Sequence, residues 1–130
     1  MNFDVEFYEC NGDIPVRDFI LEQDNKMQAK IFHNLELLEL NGNLLREPYS
    51  KHLEDGIFEL RTKVSSDITR ILYFFVIGQK IILTNGFVKK TQKTPKNEID
   101  LAKRRRNEYL NRWLEQILWA QITRIYWTKD

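Results

Sequence analysis

The sequence predicts an α+β fold in which two helices precede an antiparallel sheet of about four strands and a third helix follows it. Two observations support this prediction. Apolar residues repeat at three- and four-residue steps through residues 25–41, which is typical of an amphipathic helix. Three apolar segments of strand length then follow one another with short polar connections, which is typical of an antiparallel meander.

The N-terminal part is predicted to form one strand and two helices. Apolar and acidic residues alternate over residues 3–8, as in a half-buried strand. Pro15 suits the first turn of a short helix, because its missing N–H would have no helical partner there. The second helix, residues 25–41, is expected to end at Gly42, since glycine readily adopts the left-handed conformation of a C-cap. Residues 47–53 are predicted to be a loop.

The meander is predicted in the middle of the chain. Its connections contain serine, aspartate, glycine and glutamine, which suit tight turns. The N-terminal strand is expected to join the sheet as an added edge. The three meander strands are residues 57–64, 68–77 and 80–88.

A final helix is predicted to begin after Pro95 and to cover residues 96–112. It completes a single domain, residues 1–112. Residues 113–130 contain all three tryptophans of the chain, and their apolar pattern fits either a continued helix or a strand. We expect this segment to be a C-terminal extension whose role the pattern does not reveal.

Composition narrows the class of protein. A chain of 130 residues, 42% hydrophobic and 30% charged, is typical of one soluble domain. It contains no apolar run of transmembrane length and no start resembling a signal peptide, so a cytoplasmic protein without a membrane partner is expected. The single cysteine, Cys10, rules out an internal disulfide. Neither metal-ligand spacing nor a glycine-rich cofactor loop is found, so no cofactor and no metal are expected.

Charge is unevenly distributed along the chain. Residues 1–60 contain 5 Lys/Arg and 13 Asp/Glu, a net charge of −8, whereas residues 80–112 contain 10 and 3, a net charge of +7. Such asymmetry indicates a nucleic-acid face or an acidic partner. The simpler alternative is a pair of oppositely charged, solvated faces.

Basic residues from three strands are predicted to converge. Arg61 and Lys63 are two residues apart, so their side chains share one face of the first meander strand. A short turn brings Arg70 close to them across the hairpin. Further lysines follow the third strand, where fixed ammonium groups would concentrate phosphate. These are Lys89, Lys90 and Lys93.

Alternative roles exist for each of these side chains. Arg61 and Lys63 fit an ordinary solvated sheet face. Arg70 lies among apolar neighbours and must therefore reach solvent, an anion or a carboxylate. A salt bridge from Arg70 to Asp67 or Glu59 is as good an interpretation as a functional role.

Such a basic surface suits RNA cleavage by attack of a ribose 2′-hydroxyl on the adjacent phosphodiester. This reaction needs a base, stabilisation of the phosphorane and a proton for the leaving 5′-oxygen. A lysine crowded by cations has a lowered pKa and can act as the base, while arginine can hold two phosphate oxygens. His52 is a possible additional acid or base.

The order of elements and four sequence stretches resemble the RelE/ParE superfamily of toxins, and most of all its HigB-like, phage-derived branch. The resemblance extends from about residue 2 to about residue 110 and implies a RelE-like fold. The stretches are Phe3-Asp-Val-Glu-Phe-Tyr8, Asp55-Gly-Ile-Phe-Glu-Leu-Arg61, Asp67-Ile-Thr-Arg-Ile-Leu-Tyr-Phe-Phe75 and Gly86-Phe-Val-Lys-Lys-Thr-Gln-Lys-Thr-Pro95.

The resemblance implies the toxin of a type II toxin–antitoxin module, a metal-independent, ribosome-dependent mRNA endoribonuclease. It also implies a HigA-like helix-turn-helix antitoxin as partner, with operator DNA contacted only through that antitoxin. A tyrosine or histidine near the C-terminus of several relatives has no counterpart here, and Lys93 or Lys96 occupies that region. The catalytic residues implied are Arg61, Lys63, Arg70 and Lys90, and the RNA-binding residues are Lys89, Lys93 and Lys96.

Other functions compatible with the same sequence are a ParE-like gyrase inhibitor and a non-catalytic nucleic-acid-binding module. The density of Lys and Arg on the meander favours RNA over a protein target. The antitoxin is expected either to cover part of the acidic N-terminal half or to block the cationic face.

Overall fold

The computed structural model describes residues 2–127, with side chains described as far as Ile125, and shows a five-stranded mixed sheet with helices on both faces. The predicted α+β class is confirmed. The strands are β1 (Asp4–Phe7), β2 (Ser50–Glu54), β3 (Ile57–Val64), β4 (Asp67–Val76) and β5 (Lys80–Val88). The helices are α1 (Pro15–Leu21), α2 (Asn25–Asn41) and α3 (Lys96–Trp127), with a 3₁₀ turn at Gly42–Leu44.

The strands lie in the order β1-β5-β4-β3-β2. The pairs β2–β3, β3–β4 and β4–β5 are antiparallel, as expected for a meander, whereas β1 runs parallel to β5. The N-terminal strand is an edge strand, as predicted, and β2 forms the other edge. Of the predicted basic residues, Arg61 and Lys63 lie on β3 and Arg70 lies on β4, neither of which pairs with β1.

Two apolar layers hold the sheet between its helices. On one face, alternate residues of the central strands, such as Leu60 and Ile71, are buried against α1 and α2. On the other face, Leu72 and Phe74 are buried with Ala102 of α3. Because neighbouring residues of a strand point to opposite faces, β4 is apolar on both sides and is almost entirely buried.

Local signals explain both ends of α2. The Asp24 carboxylate accepts a hydrogen bond of 2.8 Å from the backbone N–H of Met27, which caps the first turn. At the other end, Gly42 has a φ of 50° and lies directly beneath the Phe3 ring. A Cβ at this position would overlap that ring, so glycine is required by both the backbone and the packing.

The predicted loop at residues 47–53 is wrong in part, because Ser50–Glu54 forms β2. This strand adds the fifth member to a sheet expected to have about four. Its residues are mostly polar and only partly buried, so the segment lacks the alternation that identifies a strand. Ser50 is fixed by a hydrogen bond to the buried Tyr73 hydroxyl. Burial raises the pKa of Tyr73 to about 12, so this phenol remains protonated at neutral pH.

The final helix is longer than the predicted 96–112, because α3 continues without a break to Trp127. Residues 97–127 contain neither glycine nor proline, so nothing in the backbone ends the helix earlier. From residue 114 to residue 125 every residue is exposed. Residues 128–130 of the predicted extension lie outside the described residues.

No helix in the described part of the chain has the length and apolar content needed to cross a bilayer.

We expect deletion of residues 114–130 to leave the domain folded. The described side chains of this segment are exposed, so the free energy of unfolding should change by no more than about 1 kcal/mol. Urea denaturation of the truncated and full-length proteins measures this difference. A loss of several kcal/mol would show that the predicted boundary near residue 112 divides a single folding unit.

Candidate nucleic-acid interface

Arg61 and Arg70 are direct neighbours across the β3–β4 pair. Both lie on the sheet face that packs against α3. On the opposite face, the buried side chain of Asn34 donates hydrogen bonds to the Arg61 carbonyl (3.2 Å) and to the Thr62 hydroxyl (3.1 Å). The backbone of β3 is therefore fixed to α2 at the position from which the Arg61 side chain leaves the sheet.

Arg70 is buried and its charge is compensated inside the protein. Its side chain is 5% exposed, and Nη1 lies 3.4 Å from Oε2 of Glu59, which is 4% exposed. The same Nη1 donates to the Thr94 hydroxyl (2.7 Å), and Nη2 donates to the Gln92 carbonyl (3.0 Å). Thr94 in turn donates to Oε2 of Glu59 (2.6 Å). We call Glu59, Arg70 and Thr94 the buried triad.

The buried triad connects the loop between β5 and α3 to the sheet. Both Gln92 and Thr94 belong to that loop, and the N–H of Lys89 donates to the Ile68 carbonyl of β4 (2.8 Å). Of the two interpretations of Arg70, the salt bridge to Glu59 is the one observed. The guanidinium thus stabilises a lysine-bearing loop, while its Nε has no hydrogen-bond partner among the described residues.

A second layer of cations lies outside the triad. Arg61 is half-buried and Lys63 is exposed, and neither side chain has an ion-pair partner within residues 2–127. The pKa of Lys89 is lowered first by partial burial and then by Arg61, Arg70 and Lys63, with Glu59 acting in the opposite direction. These side chains therefore lie within electrostatic reach of one another. A cation-rich site of this kind favours binding of an anion.

Two adjoining grooves border these cations and share Arg70 and Lys93. The larger, about 660 Å³, runs between β2, β3 and the loop, and we call it the cationic groove. The smaller, about 410 Å³, lies under the loop and is bordered by Lys89 and Lys90. Basic residues lining the cationic groove are Lys51, His52, Arg61, Arg70 and Lys93, and its acidic residues are Glu47, Glu54 and Glu59.

The acidic residues reduce the charge of the cationic groove less than their number indicates. Glu59 is paired with Arg70, and Glu54 is paired with Lys103 at 2.6 Å. The hydrogen bond and charge of Lys103, with a smaller contribution from Lys96, hold the pKa of Glu54 below its usual value. Lys93, which borders both grooves, has no ion-pair partner in the described part of the chain.

Three other predicted residues, Lys90, Lys96 and His52, contribute less directly. Lys90 is exposed and borders only the smaller groove. Lys96 begins α3 and is paired with Asp100 at 3.2 Å. The ring of His52 packs against Phe58 (4.9 Å between centroids), a residue of the α1–α2 layer. The structure therefore brings together Arg61, Lys63, Arg70 and Lys89, with Lys93 beside them, and places Lys90 and Lys96 further out.

Sequence reasoning missed the contributions of Lys51, Gln92 and Thr94. The sequence predicts a loop at Lys51, whereas β2 places this residue beside the cationic groove. Gln92 and Thr94 act through a carbonyl and a hydroxyl, which carry no charge signal in the sequence. The available signal was an arginine within an apolar strand, because such a residue requires buried acceptors.

Comparison with known proteins identifies the family. The family model described as "Phage derived protein Gp49-like (DUF891)" matches residues 18–107, which include the second half of α1, all of α2, the strands β2 to β5 and the first part of α3. No curated protein matches the chain. The Gp49-like family is known as toxin-like, of the RelE/HigB type that occurs in toxin–antitoxin systems. Because the match covers more than half of the sequence, the chain belongs to the phage-derived Gp49-like family.

Proposed function

We propose that this protein is the toxin of a type II toxin–antitoxin module and cleaves mRNA on the ribosome without a metal ion. The observation that carries the proposal is the group formed by Arg61, Lys63 and Lys89, which have no ion-pair partner in the described part of the chain and lie within electrostatic reach of one another. Arg61 lines the groove of about 660 Å³, and Lys89 lines the adjoining groove of about 410 Å³. Membership of a toxin-like family supports the biological role. A HigB-like toxin of this type would be neutralised by a HigA-like helix-turn-helix antitoxin.

Each cation in or near the two grooves is given one role. Arg61 binds the non-bridging phosphate oxygens, because its guanidinium stays charged and can donate to two oxygens at once. Lys63 and Lys90 bind the flanking phosphates. Arg70 is a positioning residue, since the buried triad occupies its charge and fixes the loop that carries Lys89.

The reaction consists of one displacement at phosphorus. Neutral Lys89 accepts the 2′-hydroxyl proton while the 2′-oxygen forms a bond to phosphorus and the bond to the 5′-oxygen breaks. Arg61 stabilises the additional negative charge of the phosphorane. Lys93 donates a proton to the leaving 5′-oxygen, and the products are a 2′,3′-cyclic phosphate and a 5′-hydroxyl end. We assign this proton to Lys93 rather than Lys96 because Lys96 is paired with Asp100.

The proposal is tested by expressing the wild-type protein and Arg61→Ala and mapping mRNA ends on translating ribosomes. We expect growth arrest and new 5′-hydroxyl ends with the wild type, and neither with the variant. Arrest with gyrase-linked DNA breaks and intact mRNA would contradict the proposal in favour of a ParE-like inhibitor. Binding of RNA without arrest or cleavage would indicate a passive binding module.

Cleavage should also depend on pH through Lys89. Its pKa is lowered, so the neutral amine that acts as base accumulates at a lower pH than in an ordinary lysine, whose pKa is about 10.4. The cleavage rate should therefore rise with pH and reach its plateau at a pH below the pKa of an ordinary lysine. Lys89→Arg should lose this rise, because the guanidinium stays protonated.

The matched control is Lys90→Arg, which should retain the rise with pH. Rates on programmed ribosomes from about pH 6 to about pH 9 provide the comparison. An unchanged profile in Lys89→Arg would mean that another group takes the proton.

A further inference from the structure

A second surface lies at the opposite edge of the sheet, around the outer side of β1. A groove of about 270 Å³ separates β1 from α2, and a second groove separates β1 from α3. Phe7 borders both grooves, so they form one continuous surface. We call this surface the β1-edge surface; its apolar residues are Val5, Phe7, Phe32, Leu35 and Trp113.

The β1-edge surface exposes large aromatic side chains that have no covering element among the described residues. Phe7 is 39% exposed and Phe32 is 48% exposed. Contiguous exposed apolar residues with a polar rim are typical of protein interaction sites. Since β1 forms the edge of the sheet and β2 forms the other edge, this surface is remote from the cationic groove.

The backbone of β1 adds hydrogen-bonding capacity along this surface. The N–H groups of Asp4 and Tyr8 donate to β5 or the turn before it, at 2.8 and 2.9 Å. Successive N–H groups of a strand point to opposite sides, so those of Val5 and Phe7 point outward. Within the described residues they have no backbone partner. The outward groups on either side are already bonded, since the Phe3 N–H donates to the Glu39 carbonyl and the Glu9 carbonyl accepts from Arg112, both at 2.7 Å. Val5 and Phe7 therefore form a short open edge, to which another extended chain can add as a strand.

Charge determines which kind of chain fits. The rim contains Glu9, Glu36 and Glu39, and none of these carboxylates has an ion pair or side-chain hydrogen bond in the part of the chain that the structure describes. The neighbouring Arg112 is already paired with Glu108 at 2.9 Å. The acidic rim repels nucleic acid, and a symmetric pairing of two copies would bring these glutamates together.

We infer that the β1-edge surface binds an extended protein segment whose apolar residues cover Phe7 and Phe32 and whose Lys or Arg residues meet Glu36 and Glu39. This partner is the neutralising antitoxin if the proposed function is correct. Its bound segment then lies far from the cationic groove. The segment then serves as an anchor, and inhibition depends on the rest of the partner.

The inference is tested with two fluorescein-labelled peptides of ten residues, one alternating valine with lysine and one alternating valine with glutamate. Full-length protein should bind the lysine peptide, and the glutamate peptide should not bind. Glu36→Lys should weaken binding of the lysine peptide about tenfold or more, because an attraction becomes a repulsion. Phe32→Asp should also weaken it.

The matched control is Glu22→Lys, an exposed charge reversal at the end of α1, which should bind like the wild type. Circular dichroism checks that each variant is folded. Failure of both peptides to bind, equal binding by Glu36→Lys and wild type, or a dimer that Phe32→Asp disrupts would each overturn the inference. Cleavage of mRNA by Glu36→Lys should be unchanged, so failure of this inference and failure of the nuclease proposal are distinguishable.

Discussion

Replacing Glu59 by alanine is expected to destabilise the protein by about 3–5 kcal/mol, because it leaves the Arg70 guanidinium buried without a carboxylate. The Thr94 hydroxyl would also lose its acceptor. Urea denaturation at neutral pH measures the loss. We expect Arg70→Ala to cost a similar amount, since it leaves the Glu59 carboxylate uncompensated. Lost activity in Arg70→Ala would therefore not by itself demonstrate contact with RNA.

A double variant separates stability from function. Arg70→Met with Glu59→Leu removes both charges and fills the space with apolar side chains, so most of the lost stability should return. Cleavage should remain weak, because Gln92 and Thr94 no longer have the guanidinium that ties the loop to the sheet. Hydrogen exchange in residues 89–95 should be faster than in the wild type. Full activity in a stable double variant would contradict the positioning role of Arg70.

Arg61→Ala is expected to lower the cleavage rate by about 10²–10³-fold, the usual cost of removing one donor that stabilises a transition-state oxyanion. Its stability should change little, because the Arg61 side chain is only half-buried and has no ion-pair partner in the described chain. The rate is measured on programmed ribosomes with the purified protein. The melting temperature of the same preparation shows whether the variant is folded.

Arg104→Ala is a suitable control, since it removes an exposed arginine of α3 that borders neither the cationic groove nor the smaller groove next to it. It should reduce cleavage only slightly, through the long-range field. Equal losses in the two variants would indicate that net charge, rather than the placement of Arg61, controls the reaction. Arg61→Lys adds a further distinction, because a lysine keeps the charge but cannot donate to two phosphate oxygens in one plane.

The sequence alone predicts the helices and the meander because their signals are local. The spacing of apolar residues predicts α2, and proline and glycine identify where helices begin or end. Short turns between apolar strands require antiparallel neighbours, which is why the order of the central strands could be predicted. By contrast, β2 is polar and gains its partners only by lying beside β3, so no local pattern indicates it.

The same distinction applies to the candidate site. Strand periodicity determines that Arg61 shares a face with Lys63 and that Arg70 lies across the hairpin. Whether a guanidinium on that face reaches solvent depends on what covers it. Only the tertiary structure shows that α3 and its preceding loop enclose Arg70 with Glu59 while leaving Arg61 accessible. The physical reason is that side-chain direction is a property of one strand, whereas burial and charge pairing depend on segments distant in sequence.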